Sequence, residues 1–120
     1  MAAEGHDPGY LWDMLNAAHE IEEFVAGSNL EQYMHDRKLQ LAVERGIEII
    51  GEAARKVSKT FQEAHPEVPW VPIIAQRHVL AHDYGRIDHE RVFRVATVHV
   101  PELATLLTPL IPPLPPDIVD

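Results

Sequence analysis

The sequence predicts an all-α fold, an antiparallel bundle of four or five helices. Apolar residues recur at three- and four-residue spacing over long stretches, which is the pattern of a helix face buried in a core. Glycines, prolines and capping residues separate these stretches, and no segment alternates convincingly as a half-buried strand does. The chain has 120 residues, of which 46% are hydrophobic, enough for one core. We therefore expect a single helical domain over residues 1–108 and a proline-rich tail over residues 109–120.

The first helix is expected to start with Asp7 as its N-cap and Pro8 at its first helical position. Its apolar stripe consists of Leu11, Leu15, Ala18, Ile21 and Val25. Gly27 suits the end of this helix. Ser28 is followed three residues later by Glu31, a capping box that predicts the start of the next helix.

A long helical stretch, broken or continuous, is expected from there to about Ser58. Its apolar stripe consists of Leu39, Val43, Gly46, Ile50, Ala53 and Val57. The charged residues beside this stripe are expected to form a solvated face. Gly46 would weaken an isolated helix, so its place in the stripe predicts close packing against a neighbouring element.

A turn is expected at residues 65–69, where two prolines flank Glu67 and Val68. A further helix should run from Trp70 to Asp83, with Pro72 in its first turn.

The last helix is expected to begin after Asp88 as its cap. Pro101 should kink or interrupt this helix, because its ring clashes with the preceding turn. The tail holds five of the ten prolines, so it should be extended rather than helical.

Charge and composition limit the function. The net charge is −9 and no Lys or Arg precedes residue 37, which argues against a broad basic surface for nucleic acid, so a nucleic-acid role would need Arg and Lys to be concentrated locally. There are no cysteines, which excludes disulfides and cysteine-ligated zinc. The N-terminus lacks the pattern of a signal peptide, and no apolar run reaches about 18 residues. The expectation is a cytoplasmic protein with no membrane partner.

The segment RHVLAHDYG, residues 77–85, gathers the side chains that chemistry uses most. Arg77 and His82 are five residues apart, which separates them by about 140° on a regular helix. Tyr84 is seven residues from Arg77 and returns to its side. For the three to converge, the helix must loosen near His82 or a second chain must complete the site.

Two other interpretations of this segment stay open. His78 and His82 share a helix face at a spacing that zinc sites use, with Asp83 or His89 as a candidate third ligand. Alternatively, Arg and His near a helix C-terminus simply stabilise the helix through its dipole.

The pattern R-x4-H-x-Y, formed by Arg77, His82 and Tyr84, resembles the signature of the HepT-like ribonuclease toxins of the HEPN superfamily. His78 departs from that family's usual Asn at this position. Three further segments resemble the family in order and spacing: IEIIGEAA at 47–54, HPEVPW at 65–70 and PEL at 101–103.

The resemblance implies a metal-independent RNA endonuclease that needs no cofactor and works as a homodimer with two motifs facing a shared cleft. It also implies an antitoxin, a minimal nucleotidyltransferase of the MntA type, that transfers AMP to Tyr84. In this interpretation Arg77 stabilises the charged phosphate and His82 transfers protons. His78 and Tyr84 position the RNA.

The alternative is a non-catalytic helical module that docks the nucleotidyltransferase or binds a nucleotide without cutting RNA. The acidic N-terminal third of the chain suits a basic protein partner. Loss of activity in a His82→Ala variant that still dimerises would separate the two functions.

Overall fold

The computed structural model describes residues 5–82 and 87–112, without the side chains of residues 77–82. Within these ranges the fold is all-α, as predicted, and contains no strand. The α-helices of the described residues are α1 (Asp7–Val25), α2 (Leu30–Met34), α3 (Arg37–Lys56), α4 (Lys59–Ala64), α5 (Trp70–His82), α6 (His89–Arg94) and α7 (Val100–Leu107). A π-helical turn, Val95–His99, joins α6 to α7, and a 3-10 turn, Thr108–Leu110, follows α7.

Helix α3 is the centre of the bundle. It packs against α1 on one side and α5 on the other, and α7 packs against α1. The expected stripes of α1 and α3 are buried, apart from Leu39, which is half-buried. No helix in the described part of the chain is both long and apolar enough to cross a membrane.

The expected helix starts in the N-terminal half were wrong by one residue. Asp7 is the first residue of α1 and not its cap; its buried carboxylate accepts hydrogen bonds from the Ser58 backbone N–H (2.9 Å) and hydroxyl (2.6 Å). The capping box of α2 is formed by Asn29 and Gln32, not by Ser28 and Glu31. Each side chain accepts from the other's backbone N–H, at 2.8 and 3.0 Å.

The long helical stretch is broken once, between α2 and α3, and ends at Lys56, close to the expected end at Ser58. Asp36 ends the link after α2 and caps α3, since its carboxylate accepts from the Leu39 backbone N–H at 3.0 Å. Ser58 caps α4, a helix that the sequence did not predict, by accepting from the Phe61 backbone N–H at 3.2 Å. Phe61 is buried and gives this short helix its packing.

The expectations for the C-terminal half are largely confirmed. Asp88 caps α6 by accepting from the Arg91 backbone N–H at 3.2 Å. Pro101 interrupts the last helix through the π-helical turn, in which the Val100 N–H donates to the Val95 carbonyl. The predicted tail starts inside the 3-10 turn, and its residues 113–120 lie outside the described part. The division of the chain at residue 108 stays a prediction.

Candidate active site

Helix α5, which carries Arg77, His78 and His82, is anchored at its start by the turn that precedes it. The Trp70 indole N–H donates to the His65 carbonyl at 2.9 Å, and the Trp70 ring meets the Phe61 ring edge-on with centroids 6.3 Å apart. Val68 is 1% exposed and Trp70 is 6% exposed. The helix thus leaves a buried, hydrogen-bonded turn in a defined direction.

The backbone of α5 is helical through His82, its last residue. Arg77 and His82 therefore keep the separation of about 140° that five residues impose on a helix. No loosening of the helix precedes His82 to bring the two together within one chain. His78 and His82 are four residues apart, so their backbone positions share one face.

The chemistry-bearing atoms of the motif lie outside the described part of the chain. This holds for the side chains of Arg77, His78 and His82, and for the whole of Asp83 and Tyr84. The assignment of these residues to catalysis, RNA positioning and AMP acceptance stays a prediction.

An open apolar groove of about 540 Å³ borders α5. Its described walls come from α3, α5 and the region around the π-helical turn and α7. The lining side chains include Ile47, Ile50, Ile73, Val95, Leu103 and Leu106. Gln76, the residue directly before Arg77, also lines the groove. The groove therefore extends to the residue that precedes the motif.

Two histidine–carboxylate pairs lie at the rim of this groove. The His65 Nδ1 is 3.0 Å from Glu67 Oε2, and the His99 Nδ1 is 3.2 Å from Glu102 Oε1. The pKa of the Glu67 carboxyl lies below its usual range. The main cause is a hydrogen bond from the Glu67 backbone N–H, and the second is the hydrogen bond from His65. The rim is thus acidic where the floor is apolar.

A second polar cluster lies where α2, α3 and α6 meet. Glu44 of α3 is 8% exposed, and its Oε2 is 3.5 Å from His89 Nδ1 and 3.6 Å from Arg37 Nη1. Tyr33 of α2 is fully buried, with its ring 5.0 Å from Phe93 and 6.5 Å from His89 between centroids. Tyr33 is therefore part of the core.

The polar atoms of this cluster are poorly satisfied. Tyr33 Oη, Glu44 Oε2 and His89 Nδ1 are buried and form no hydrogen bond within the described part of the chain. Burial, and secondly the Glu44 carboxylate, raise the pKa of the Tyr33 hydroxyl well above its usual value. At 3.5 Å, Glu44 and His89 are close enough for an ion pair when the histidine is protonated.

This cluster was not predicted from the sequence, although one signal was present. Glu44 lies between Val43 and Ile47, within the apolar side of α3, and not among the residues opposite it. A carboxylate at such a position predicts a buried partner. His89, considered above as a zinc ligand, instead faces Glu44 and Tyr33.

Comparison with known proteins gives one consistent result. A family model described as "Ribonuclease HepT-like" matches residues 14–110. The protein named "Probable ribonuclease HepT" from Thermococcus cleftensis is 36% identical over 94 residues, covering 78% of this chain and 86% of that protein. The protein named "Putative RNase MJ1380" from Methanocaldococcus jannaschii is 32% identical over the same shares of the two chains. No solved structure matches the chain significantly.

Proposed function

This chain belongs to the HepT-like ribonuclease family, and from that premise we propose that it is the toxin of a toxin–antitoxin pair, a metal-independent endoribonuclease acting in the cytoplasm. The observation that carries the proposal is the R-x4-H pattern on α5, an anchored helix that runs through His82 and borders an open groove. Both chemical groups that RNA cleavage needs lie on this one helix.

The proposed reaction is attack of a ribose 2′-oxygen on the adjacent phosphorus. One His82 takes the 2′-hydroxyl proton, and a second, protonated His82 gives a proton to the departing 5′-oxygen. Arg77 neutralises the charge that builds on the phosphorane oxygens through its planar, permanently charged guanidinium. The products are a 2′,3′-cyclic phosphate and a 5′-hydroxyl, and no metal takes part. His78 and Tyr84 hold the RNA backbone and base.

A homodimer supplies the second histidine. The backbone positions of Arg77 and His82 are about 140° apart around one α5, so in this proposal two helices place both types of group around one phosphate. We assign the groove along α5 to the second copy, because its apolar floor reaches Gln76, the neighbour of Arg77. A copy seated there brings the second motif next to the first, and apolar side chains would leave water on both chains.

Silencing is proposed to occur by AMP transfer to Tyr84. In this reaction the Tyr84 hydroxyl oxygen attacks the α-phosphorus of ATP on the partner nucleotidyltransferase, and pyrophosphate leaves. The product places a phosphodiester anion two residues after His82, where it competes with RNA phosphate for Arg77. A small change at one residue would thus block binding of an anionic substrate.

The test is cleavage of total RNA with excess chelator, after the intact mass has shown that no AMP is attached. Wild type should produce 2′,3′-cyclic phosphate ends, and His82→Ala should lower the rate by about 10²- to 10⁴-fold, the usual contribution of general acid–base catalysis. Tyr84→Phe should cut RNA and resist AMP transfer. His19→Ala, on the exposed face of α1, is the matched control and should cut like the wild type.

The acidic rim of the groove also favours the second candidate, a non-catalytic module that docks a basic surface of the nucleotidyltransferase. Under that function, folded and unmodified wild type leaves every RNA class whole and still binds its partner. Cleavage that stops when chelator is added would instead support zinc chemistry through His78 and His82.

A further inference from the structure

A small cleft opens to solvent between α1 and α3. It has a volume of about 150 Å³, and the side chains around it are Tyr10, Asp13, Arg45, Ile49, Glu52, Ala53 and Lys56. Ala53 is buried and Ile49 is half-buried, so the floor of the cleft is apolar. The α3 residues that line the groove along α5 are Ile47 and Ile50. The cleft and the groove therefore lie on different sides of α3.

An aromatic ring and a cation lie side by side in this cleft. The Lys56 Nζ atom is 5.9 Å from the centroid of the Tyr10 ring, within the range of a cation–π contact. Tyr10 is half-buried and packs against the core, so its ring is held in place while part of it faces solvent. In a nucleotide, the base and the phosphate are likewise adjacent. Tyr10 and Lys56 thus offer a stacking surface for a base and a charge for its phosphate.

Arg45 is the second cation of the cleft, and it is exposed. Glu48 lies three residues later on α3, close enough in sequence for a helical ion pair, but Arg45 forms no ion pair with the residues that the structure describes. On the same helix, Arg55 engages the Glu52 carboxylate at 2.9 Å. The Arg45 guanidinium can therefore bind an anion from solvent, while the charge of Glu52 is offset by Arg55.

Lys38, Arg45 and Lys56 form a line along the exposed side of α3. Their spacings of seven and eleven residues place them within about 20° of one another around the helix. The line is about 27 Å long, because each residue of a helix adds about 1.5 Å. Cations are thus concentrated locally in a chain whose net charge is −9. A line of this length suits a strand with several phosphates, whereas a free nucleotide would contact the cleft alone.

We propose that this cleft binds one nucleotide of a single-stranded RNA, whose neighbouring phosphates follow the line of cations on α3. The base stacks on Tyr10, and Lys56 and Arg45 bind phosphate oxygens. The Asp13 carboxylate accepts a hydrogen bond from an exocyclic amino group of the base. Adenine, cytosine and guanine carry such a group and uracil does not, so the cleft favours the amino-bearing bases. This inference rests on the proposed function, which makes RNA the substrate.

The cleft binds RNA and takes no part in the chemical step. Its side chains are separate from those to which the proposed reaction assigns proton transfer and charge stabilisation. Loss of the cleft should therefore raise KM for a defined RNA and leave kcat within about twofold.

The experiment measures RNA binding without cleavage. Fluorescently labelled 2′-O-methyl oligonucleotides of about twelve nucleotides are titrated with the full chain, and anisotropy is followed over a series of salt concentrations. These ligands lack the 2′-hydroxyl that the proposed reaction needs, so the wild-type protein cannot cut them. Oligo(C) and oligo(U) are compared, because the two bases have the same ring size and differ in the amino group.

The variants are Tyr10→Leu, Arg45→Gln and Asp13→Ala. Tyr10→Phe is the matched control for the ring, because it keeps the stacking surface. Arg91→Gln, which removes an exposed arginine of α6, is the matched control for charge. Both controls should bind like the wild type.

We expect the wild type to bind oligo(C) about tenfold more tightly than oligo(U), and Asp13→Ala to remove this preference. Tyr10→Leu should weaken binding about tenfold and leave the salt dependence unchanged, since a stacking contact carries no charge. Arg45→Gln should reduce the slope of log K against log salt by about 0.7, the contribution of one phosphate contact on a single strand.

Equal binding of oligo(C) and oligo(U) by the wild type would overturn the proposal, as would unchanged affinity and salt slope in Tyr10→Leu and Arg45→Gln. CMP that binds as tightly as oligo(C) would replace the strand by a free nucleotide and overturn it too. If Tyr10→Leu fails to fold, Arg45→Gln and Lys56→Gln, both at exposed positions, decide the matter through the salt slope.

The binding result and the proposed function can fail separately. If the wild type leaves ordinary RNA whole, the proposed function fails, and the oligonucleotide titration still decides whether the cleft binds RNA. If the wild type cuts RNA and the cleft variants keep wild-type KM, only this inference fails.

Discussion

Gly46 lies directly against Ile21, and this contact sets how closely α1 and α3 approach. A Cβ atom added to Gly46 would stand 2.6 Å from Ile21 Cγ1 and 2.8 Å from Cδ1. Ile21 is fully buried among core side chains, so it can move away only by displacing its neighbours. Gly46 therefore marks close packing, as expected, because the α3 backbone at this position lies against the Ile21 side chain of α1.

Gly46→Ala should destabilise the fold by about 1–2 kcal/mol, because overpacking costs more than the gain of about 1 kcal/mol in helix propensity. Gly9→Ala is the matched control. Gly9 is exposed on α1 with no heavy atom within 4 Å of the added Cβ, so the change should be neutral or slightly stabilising. Urea unfolding at one fixed protein concentration measures both. Equal effects at the two glycines would contradict the close approach.

Asp7 joins the start of α1 to the junction of α3 and α4, 51 residues away along the chain. Asp7→Ala should cost about 3 kcal/mol, since two hydrogen bonds to a buried carboxylate are lost and the Ser58 N–H loses its acceptor. Asp36→Ala, which removes an exposed cap of α3, should cost only about 1 kcal/mol. The measurement is the free energy of unfolding, completed by a double-mutant cycle with Ser58→Ala. Additive losses of Asp7 and Ser58 would show that the contact contributes nothing.

Most of the helices could be predicted from the sequence, because the spacing of apolar residues indicates a helix and the face of it that is buried. Gly27, Pro72, Asp88 and Pro101 each act locally, so their effects on helix ends or interruptions were predictable. The choice between Ser28 and Asn29 was not. Both side chains are good caps, and the box forms where the Gln32 side chain reaches back to the Asn29 N–H.

Features that depend on distant parts of the chain could not be predicted. The α4 cap at Ser58 is supported by Asp7, and Glu44 is buried by α6, which begins 45 residues later. The local pattern made Asp7 a helix cap, and it places Glu44 on the apolar side of α3 without identifying its partner. The motif on α5 could be found because its spacing is local, but whether its residues converge depends on the proposed second chain, about which a local pattern carries no information.

Tyr33→Phe tests the cost of the buried hydroxyl in the Glu44 cluster. The change should stabilise the fold by about 1 kcal/mol, because it removes a buried polar group that has no hydrogen-bond partner in the described part of the chain. It keeps the ring contacts with Phe93 and His89. A loss of stability would show that the hydroxyl is hydrogen-bonded, for example to an ordered water.

The same variant gives a pH dependence with a definite sign. Burial raises the pKa of Tyr33 above its ordinary value of 10.0, so the folded chain keeps a proton that the unfolded chain releases. The unfolding free energy is therefore unaffected below pH 10.0 and falls as the pH rises towards the folded pKa. Tyr33→Phe should show a smaller fall over this range, measured by urea unfolding at stepwise higher pH. Parallel curves would mean that Tyr33 titrates alike in both states.

The groove predicts which face of α5 holds the second copy. Ile73→Lys on α5 and Thr105→Lys on α7 place a charge on opposite walls of the groove, and like charges then meet across the two-fold contact. Both variants should be folded monomers and should cut RNA at least about 100-fold more slowly, because the proposed mechanism takes its second histidine from the second chain. Val71→Lys is the matched control: it lies two residues before Ile73, is 78% exposed, and is not among the residues that line the groove. Sedimentation equilibrium gives the mass of each variant, and circular dichroism confirms its fold.

A dimeric Ile73→Lys protein would place the second copy elsewhere, and a monomer with wild-type cleavage would remove the need for a second chain.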